Sequence, residues 1–117
     1  MSEGGDGAPP FSASDAQLTK KFKHARAFGV EGPCNRANLA RFASALERHV
    51  ADPETFVIPC IFGRGEEAGG FPALVYLNER TGLAVITDRR GDYVTGFQPT
   101  AGQLNFLFSV GRLGGGR

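Results

Sequence analysis

The chain has 117 residues, ten of them phenylalanine, and 41% apolar side chains, which suffices for one buried core and is too little for two ordinary domains. The net charge of +1 conceals an uneven distribution: residues 1–15 carry Glu3, Asp6 and Asp15 and no base, leaving thirteen bases against nine acids in the rest. That balance excludes a histone-like polycation but suits a nucleic-acid ligand; no apolar run approaches the roughly 20 residues that cross a bilayer, and the acidic start reads as no signal peptide.

Residues 1–14, rich in Gly, Pro and Ser, read as a disordered leader or the remnant of a linker. Ser14 or Asp15 can cap a first helix running to about Phe28, with Gly29 placed to end it. Leu18, Phe22 and Ala25 recur at spacings of four and three and form its apolar stripe. On α-helical geometry Lys20, Lys23, His24 and Ala27 lie on the other side, and Lys21 borders the stripe next to His24. Pro33 breaks the chain. Asn35 can cap a second helix to about Val50, with Leu39, Phe42, Ala43, Leu46 and Val50 as its apolar face, and Asp52-Pro53 stops it. His49, at the end of that helix after Arg48, can meet the helix-terminal carbonyls and dipole, a structural role.

From Thr55 the composition changes. The runs TFVIPCIF (55–62), PALVYLN (72–78), LAVITD (83–88), YVTGFQ (93–98) and LNFLFSV (104–110) are β-branched and aromatic and predict strands. NERTG and RRGD are tight links in which Gly82 and Gly91 can take φ > 0, so neighbouring strands should be antiparallel. GRGEEAGG (63–70) is a longer loop, and residues 112–117 read as a flexible tail. The expected architecture is α+β: two N-terminal helices packed on one face of a four- to five-stranded antiparallel β-sheet, in one domain over residues 15–111. Cys34 and Cys60 stand apart, outside any CxxC, and read as ordinary thiols or, in an exported protein, a single disulfide. No metal-ligand spacing and no phosphate loop is present, so neither a metal site nor a cofactor is expected.

One stretch carries chemistry. Residues 20–26 hold Lys20, Lys21, Lys23, His24 and Arg26 and no acid. RNA can be cleaved without a metal when the ribose 2′-OH attacks the adjacent phosphorus. An imidazole can take that proton, and lysines or arginines can stabilise the charge growing on the phosphoryl oxygens and bind the backbone. Clustered cations also favour the neutral imidazole that a general base needs. The same residues suit a basic RNA-binding module without turnover or a protein-interaction module for an acidic partner, and lysine-rich helix faces are often simply solvated.

KKFKHARAFGV, followed by NRANLARFASALERHV and a strand region ending YLNERTGLAVITDRRGDYVTGFQPT, resembles the catalytic domains of colicin D-like bacterial toxins over residues 18–103. The resemblance implies a metal-independent ribonuclease that cuts tRNA in the anticodon loop, arginine tRNAs in the family's type member, leaving 2′,3′-cyclic phosphate and 5′-hydroxyl ends. It implies His24 as the catalytic histidine, with Lys21 and Lys23 as flanking lysines on the phosphate and Lys20 and Arg26 binding substrate. In VTGFQ the family pattern of a small hydroxyl residue, Gly and Trp gives Thr95 the hydroxyl position and Phe97 the aromatic one. Both depart from the pattern: Thr keeps a donor, while Phe keeps a stacking face and loses the indole N–H. The loop from Arg64 to Phe71 is longer and more glycine-rich than the pattern, which bears on the choice of tRNA. The resemblance also implies a monomeric domain of a secreted or delivered toxin, joined by its leader to a larger protein, acting in the target-cell cytoplasm and neutralised by an acidic immunity protein on the lysine cluster.

Overall fold

The computed structural model describes residues 8–63 and 70–114. In chain order the elements are α1 (Asp15–Lys20), a 3₁₀ helix (Phe22–Phe28), α2 (Arg36–Ala51), β1 (Thr55–Phe62), β2 (Phe71–Asn78), β3 (Leu83–Asp88), β4 (Tyr93–Phe97), α3 (Ala101–Val110) and β5 (Arg112–Leu113). The α+β class stands. Among the described residues no helix is long and apolar enough to cross a membrane.

The first helix is not one helix. Ser14 caps α1 by accepting from the Gln17 N–H, but the helix stops at Lys20, and the chain tightens into 3₁₀ geometry from Phe22 to Phe28. The apolar spacing explains the change. From Leu18 to Phe22 it is four residues, then Phe22, Ala25 and Phe28 follow at three. A three-residue turn stacks those three in one row, whereas an α-helix would fan them over about a third of its circumference. Phe22 and Phe28 both meet the Phe42 ring of α2, at centroid distances of 5.9 and 6.2 Å. Gly29, at φ 88°, ends the turn in the left-handed region. Asn35 caps α2 through the Asn38 N–H, and Asp52 follows its end, as expected.

The sheet order is β4-β3-β2-β1-β5. β1 to β4 form the expected antiparallel meander, with Gly82 and Gly91 at positive φ in its tight links. Three expectations fail at the C-terminal end. Residues 104–110 are not a strand: Thr100 and Gln103 form a reciprocal capping box and Gly111 ends α3 in the left-handed region. The fifth strand lies instead in what read as a tail. β5 runs parallel to β1, pairing Ile61 with Arg112 and Phe62 with Leu113, so the sheet is mixed, and Leu113 is sealed. Helices also cover both faces. Leu18, Ala25, Val30, Phe42 and Leu46 pack on Leu74, Tyr76 and Val85 of one face, while Leu107 of α3 joins Cys60, Val75, Leu77 and Ile86 on the other.

The leader reading also needs correction over residues 8–14. Ser12 bridges Asp92, donating its N–H to the Gly91 carbonyl and accepting from the Tyr93 N–H at 2.7 Å, and Phe11 packs edge-on to Tyr93. Residues 1–7 and 115–117 lie outside the described residues, as do residues 64–69 of the glycine-rich loop. Both cysteines are free, Cys34 exposed and Cys60 buried, and burial pushes the Cys60 thiol up to about 11. A buried, protonated thiol is inert.

Candidate functional site

The 3₁₀ turn sorts the charged side chains into rows. With three residues per turn, positions i and i+3 eclipse. Phe22, Ala25 and Phe28 face the core, Lys21, His24 and Ala27 form a second row, and Lys23 and Arg26 form a third. This revises the α-helical expectation: His24 shares its row with Lys21, not with Lys20 and Lys23. Lys20 ends α1, one residue before the turn. Lys20, Lys23 and Arg26 are exposed, while Lys21 and His24 are half-buried.

Beside this turn lies β4. The His24 and Phe97 rings stand 6.4 Å apart, inclined by 45°. Thr95 lies two residues from Phe97 and faces the same side of the sheet, opposite Ile86 while Phe97 is opposite Ala84. The approach depends on Gly96 between them: a Cβ there would stand 3.0 Å from Phe28 Cζ, and only hydrogen leaves room for that ring against the strand. Both predicted strand residues are enclosed, Thr95 at 3% and Phe97 at 6% exposure. Phe97 belongs to the core on the α3 face, so it offers no open face for stacking a base in this conformation. It packs against the imidazole instead.

The environment holds His24 neutral. Its pKa is lowered from the ordinary histidine value, first by burial, then by Lys23 and Lys21. Among the described residues no carboxylate opposes the shift. Nε2 is sealed from solvent without a hydrogen-bond partner, so the accessible nitrogen of this rotamer is Nδ1. In its neutral form an imidazole with one open nitrogen, with Lys21 and Lys23 beside it, can take a proton from a ligand whose anionic charge the lysines hold.

His49 makes the contrast the sequence led to expect, with a different partner. It is buried, and its Nε2 lies 2.7 Å from the Tyr76 carbonyl of β2, not against the carbonyls of its own helix end. Its ring packs edge-on to Phe28 at 5.8 Å. Burial lowers its pKa, opposed by the Tyr76 bond and by Asp52. Sequence reading missed two residues that shape the site, Phe28 and Gly96. The three-residue repeat of Phe22, Ala25 and Phe28 is the signal for the first; no short-range pattern marks the second.

Comparison with known proteins identifies the family. A family model described as Colicin D matches residues 17–107. Colicin-D of Escherichia coli is 31% identical over 103 residues, which is 86% of this chain and 14% of that protein. The chain therefore spans about a seventh of the length of that curated relative. Among solved structures, a ribonuclease from Escherichia coli complexed with its inhibitor protein is similar at 32% identity and a TM-score of 0.65, over 83% of this chain and all of that one.

Proposed function

Because the chain belongs to the colicin D family, we propose that it is a toxin domain with metal-independent endoribonuclease activity, cutting tRNA in the anticodon loop. Arginine tRNAs are the expected class, and the products carry 2′,3′-cyclic phosphate and 5′-hydroxyl ends. The observation that carries this reading is His24: an imidazole whose pKa burial, Lys23 and Lys21 all lower, on the surface turn of a protein similar to a ribonuclease.

In this mechanism His24 takes the proton of the ribose 2′-OH as the 2′ oxygen forms its bond to phosphorus. The bond from phosphorus to the 5′ oxygen breaks, and that oxygen takes up a proton from a lysine ammonium of the cluster or from water. Lys21 and Lys23 stabilise the charge on the non-bridging oxygens. Lys20 and Arg26 bind neighbouring phosphates. Phe97 acts through His24, by fixing the tilt of its ring. The domain acts as a monomer after delivery to the cytoplasm of a target cell. Its neutralising partner is an acidic immunity protein seated on Lys20, Lys21, Lys23 and Arg26, a choice favoured by the inhibitor bound to the similar ribonuclease and by charge complementarity.

The test is incubation of the protein and of His24→Ala with total bacterial tRNA in EDTA, with the fragment ends mapped on a denaturing gel. Discrete half-tRNA fragments with cyclic phosphate ends, absent with the variant, are expected. Intact tRNA with folded, RNA-bound protein would replace the nuclease by a non-catalytic RNA-binding module.

A further inference from the structure

The row that carries Lys23 and Arg26 does not end with them. Its next position is Gly29, which with Phe28 and Val30 forms one wall of a groove against α2. The opposite wall presents Arg41, Ser44 and Arg48, spaced three and four residues apart and therefore stacked along one helix face. All three are exposed, and among the described residues no acid lines the groove. The cationic row of the 3₁₀ turn thus opens into a second cationic row on another element.

The two arginines are available in different ways. Arg41 is aimed: its Nη1 donates to Asn38 Oδ1 at 2.9 Å. Asn38 is buried and anchored in turn, donating from Nδ2 to the Pro33 carbonyl at 2.9 Å. The room for that amide comes from Gly32, where a Cβ would lie 2.9 Å from Asn38 Nδ2. Arg48 makes no hydrogen bond or ion pair among the described residues, and Asp52, one turn further on, is taken by Arg80 at 2.7 Å. Seven residues of helix separate the Cα atoms of Arg41 and Arg48 by about 10 Å along its axis, a spacing from which two long side chains can reach non-adjacent phosphates of one strand. Guanidinium is the group best matched to phosphate oxygens, and Phe28 and Val30 give the groove an apolar floor for a ribose.

We propose that this groove is a second phosphate-binding track, in which Arg41 and Arg48 hold the backbone of the same RNA several nucleotides from the bond at His24. The assignment rests on the nuclease reading for its substrate, and it places affinity for the RNA backbone on α2 as well as on the turn. RNA is the occupant because the track continues the row beside His24 and because regularly spaced charges match a phosphate backbone.

The experiment measures binding of unfractionated bacterial tRNA in EDTA between 50 and 200 mM salt, on a His24→Ala background so that the RNA stays intact. Loss of one phosphate contact lowers the slope of log affinity against log salt by about 0.7–0.9. Arg41→Gln and Arg48→Gln should each produce that change, the double variant about twice as much, and Arg48→Lys should retain the slope. Arg36→Gln, which removes the same charge from α2 outside the groove, should leave the slope in place. Should Arg41→Gln unfold through Asn38, Arg48→Gln answers alone. An unchanged slope in Arg48→Gln, or an equal fall in Arg36→Gln, overturns the track. Cleavage by the protein with His24 intact is scored separately. Cleavage with an unchanged slope removes the track and keeps the nuclease; a lowered slope without cleavage removes the nuclease and keeps the track as an RNA-binding groove; absence of tRNA binding removes both.

Discussion

The two histidines occupy opposite ends of the same packed seam, and the same force acts on both. Burial disfavours the imidazolium of His24 and of His49 alike. Their neighbours then differ. His49 points Nε2 at a strand carbonyl 2.7 Å away and lies under Phe28, so its polarity is consumed inside the fold. His24 has a sealed nitrogen without a partner, lysines on both sides and an aromatic ring of β4 at its flank. A protein can afford an unsatisfied, charge-repelled imidazole at only a few places, and here it stands on a surface turn. Depressed titration alone therefore does not mark a reactive group. A depressed imidazole whose bonding capacity is unspent does.

That difference predicts opposite outcomes for the same substitution. His24→Ala should lower the rate of tRNA cleavage by roughly 10²–10⁴-fold while the melting temperature changes little. His49→Ala should cost about 1–3 kcal/mol of stability, because it removes a buried hydrogen bond to the Tyr76 carbonyl and the ring's packing on Phe28, and leave cleavage per folded molecule close to that of the parent. Paired melting curves and single-turnover rates would show it. Equal loss of activity in both variants would mean that the seam, not the imidazole, is what the reaction needs.

The contact that brings the turn to β4 is the next target. Gly96→Ala places a methyl 3.0 Å from Phe28 Cζ. Overpacking of this kind costs about 1–3 kcal/mol, and here it should also push the turn away from Phe97. Denaturant unfolding reads the first effect and kcat reads the second. Restoration of activity by Gly96→Ala combined with Phe28→Leu would assign the loss to crowding rather than to strand geometry.

Charge sharpens the comparison further. A histidine whose pKa is lower folded than unfolded binds more protons when unfolded, so its stabilising contribution is complete above the unfolded value of about 6.5 and is lost as pH falls through the folded one. Both histidines act in this direction, and the melting temperature should fall as pH drops below about 6.5. His49→Gln should flatten that fall. For catalysis, the acid limb of kcat/KM should lie below the ordinary histidine range and move upward in Lys23→Gln, since Lys23 is the larger cationic contributor. A limb that stays in place would release His24 from the role of base.

The α+β class, both caps of α2, the antiparallel meander and the cluster around His24 were legible because each rests on local chemistry: a capping side chain, a glycine at positive φ, an uninterrupted run of bases. The failures are instructive in the same terms. LNFLFSV has the composition of a strand, yet Thr100-x-x-Gln103 and Gly111 bracket a helix, and local capping outweighed β-propensity. β5 is two residues long and exists only because β1 offers its edge, so nothing within Arg112–Leu113 announces it. Residues 8–14 are ordered by Tyr93 and Gly91, distant in sequence. Phe97 read equally as a stacking face or a core aromatic, because a strand's alternation does not reveal which side a helix will later cover; the core reading is the one the burial supports.

The smallest expected effect lies at the far end of the seam, where Arg80 joins Asp52 and Glu54 at 2.7 and 3.0 Å. The geometry is close, but the Arg80 side chain is 58% exposed and that of Glu54 64%. Water and salt already solvate these charges, and fixing the long side chains costs rotamer entropy, so exposed pairs of this kind contribute little. Asp52 has other work: its N–H donates to the His49 carbonyl and its Oδ1 accepts from the Glu54 N–H, both of which survive the loss of Arg80. Arg80→Ala should therefore lower stability only slightly, and less again in 1 M salt, where the screening length falls to about 3 Å. His49→Ala, one residue-pair away in the same corner, should be insensitive to salt, since its hydrogen bond is buried. A loss at Arg80 as large as that at His49, and equally indifferent to salt, would place the anchor of this end in the ion pairs rather than in the imidazole.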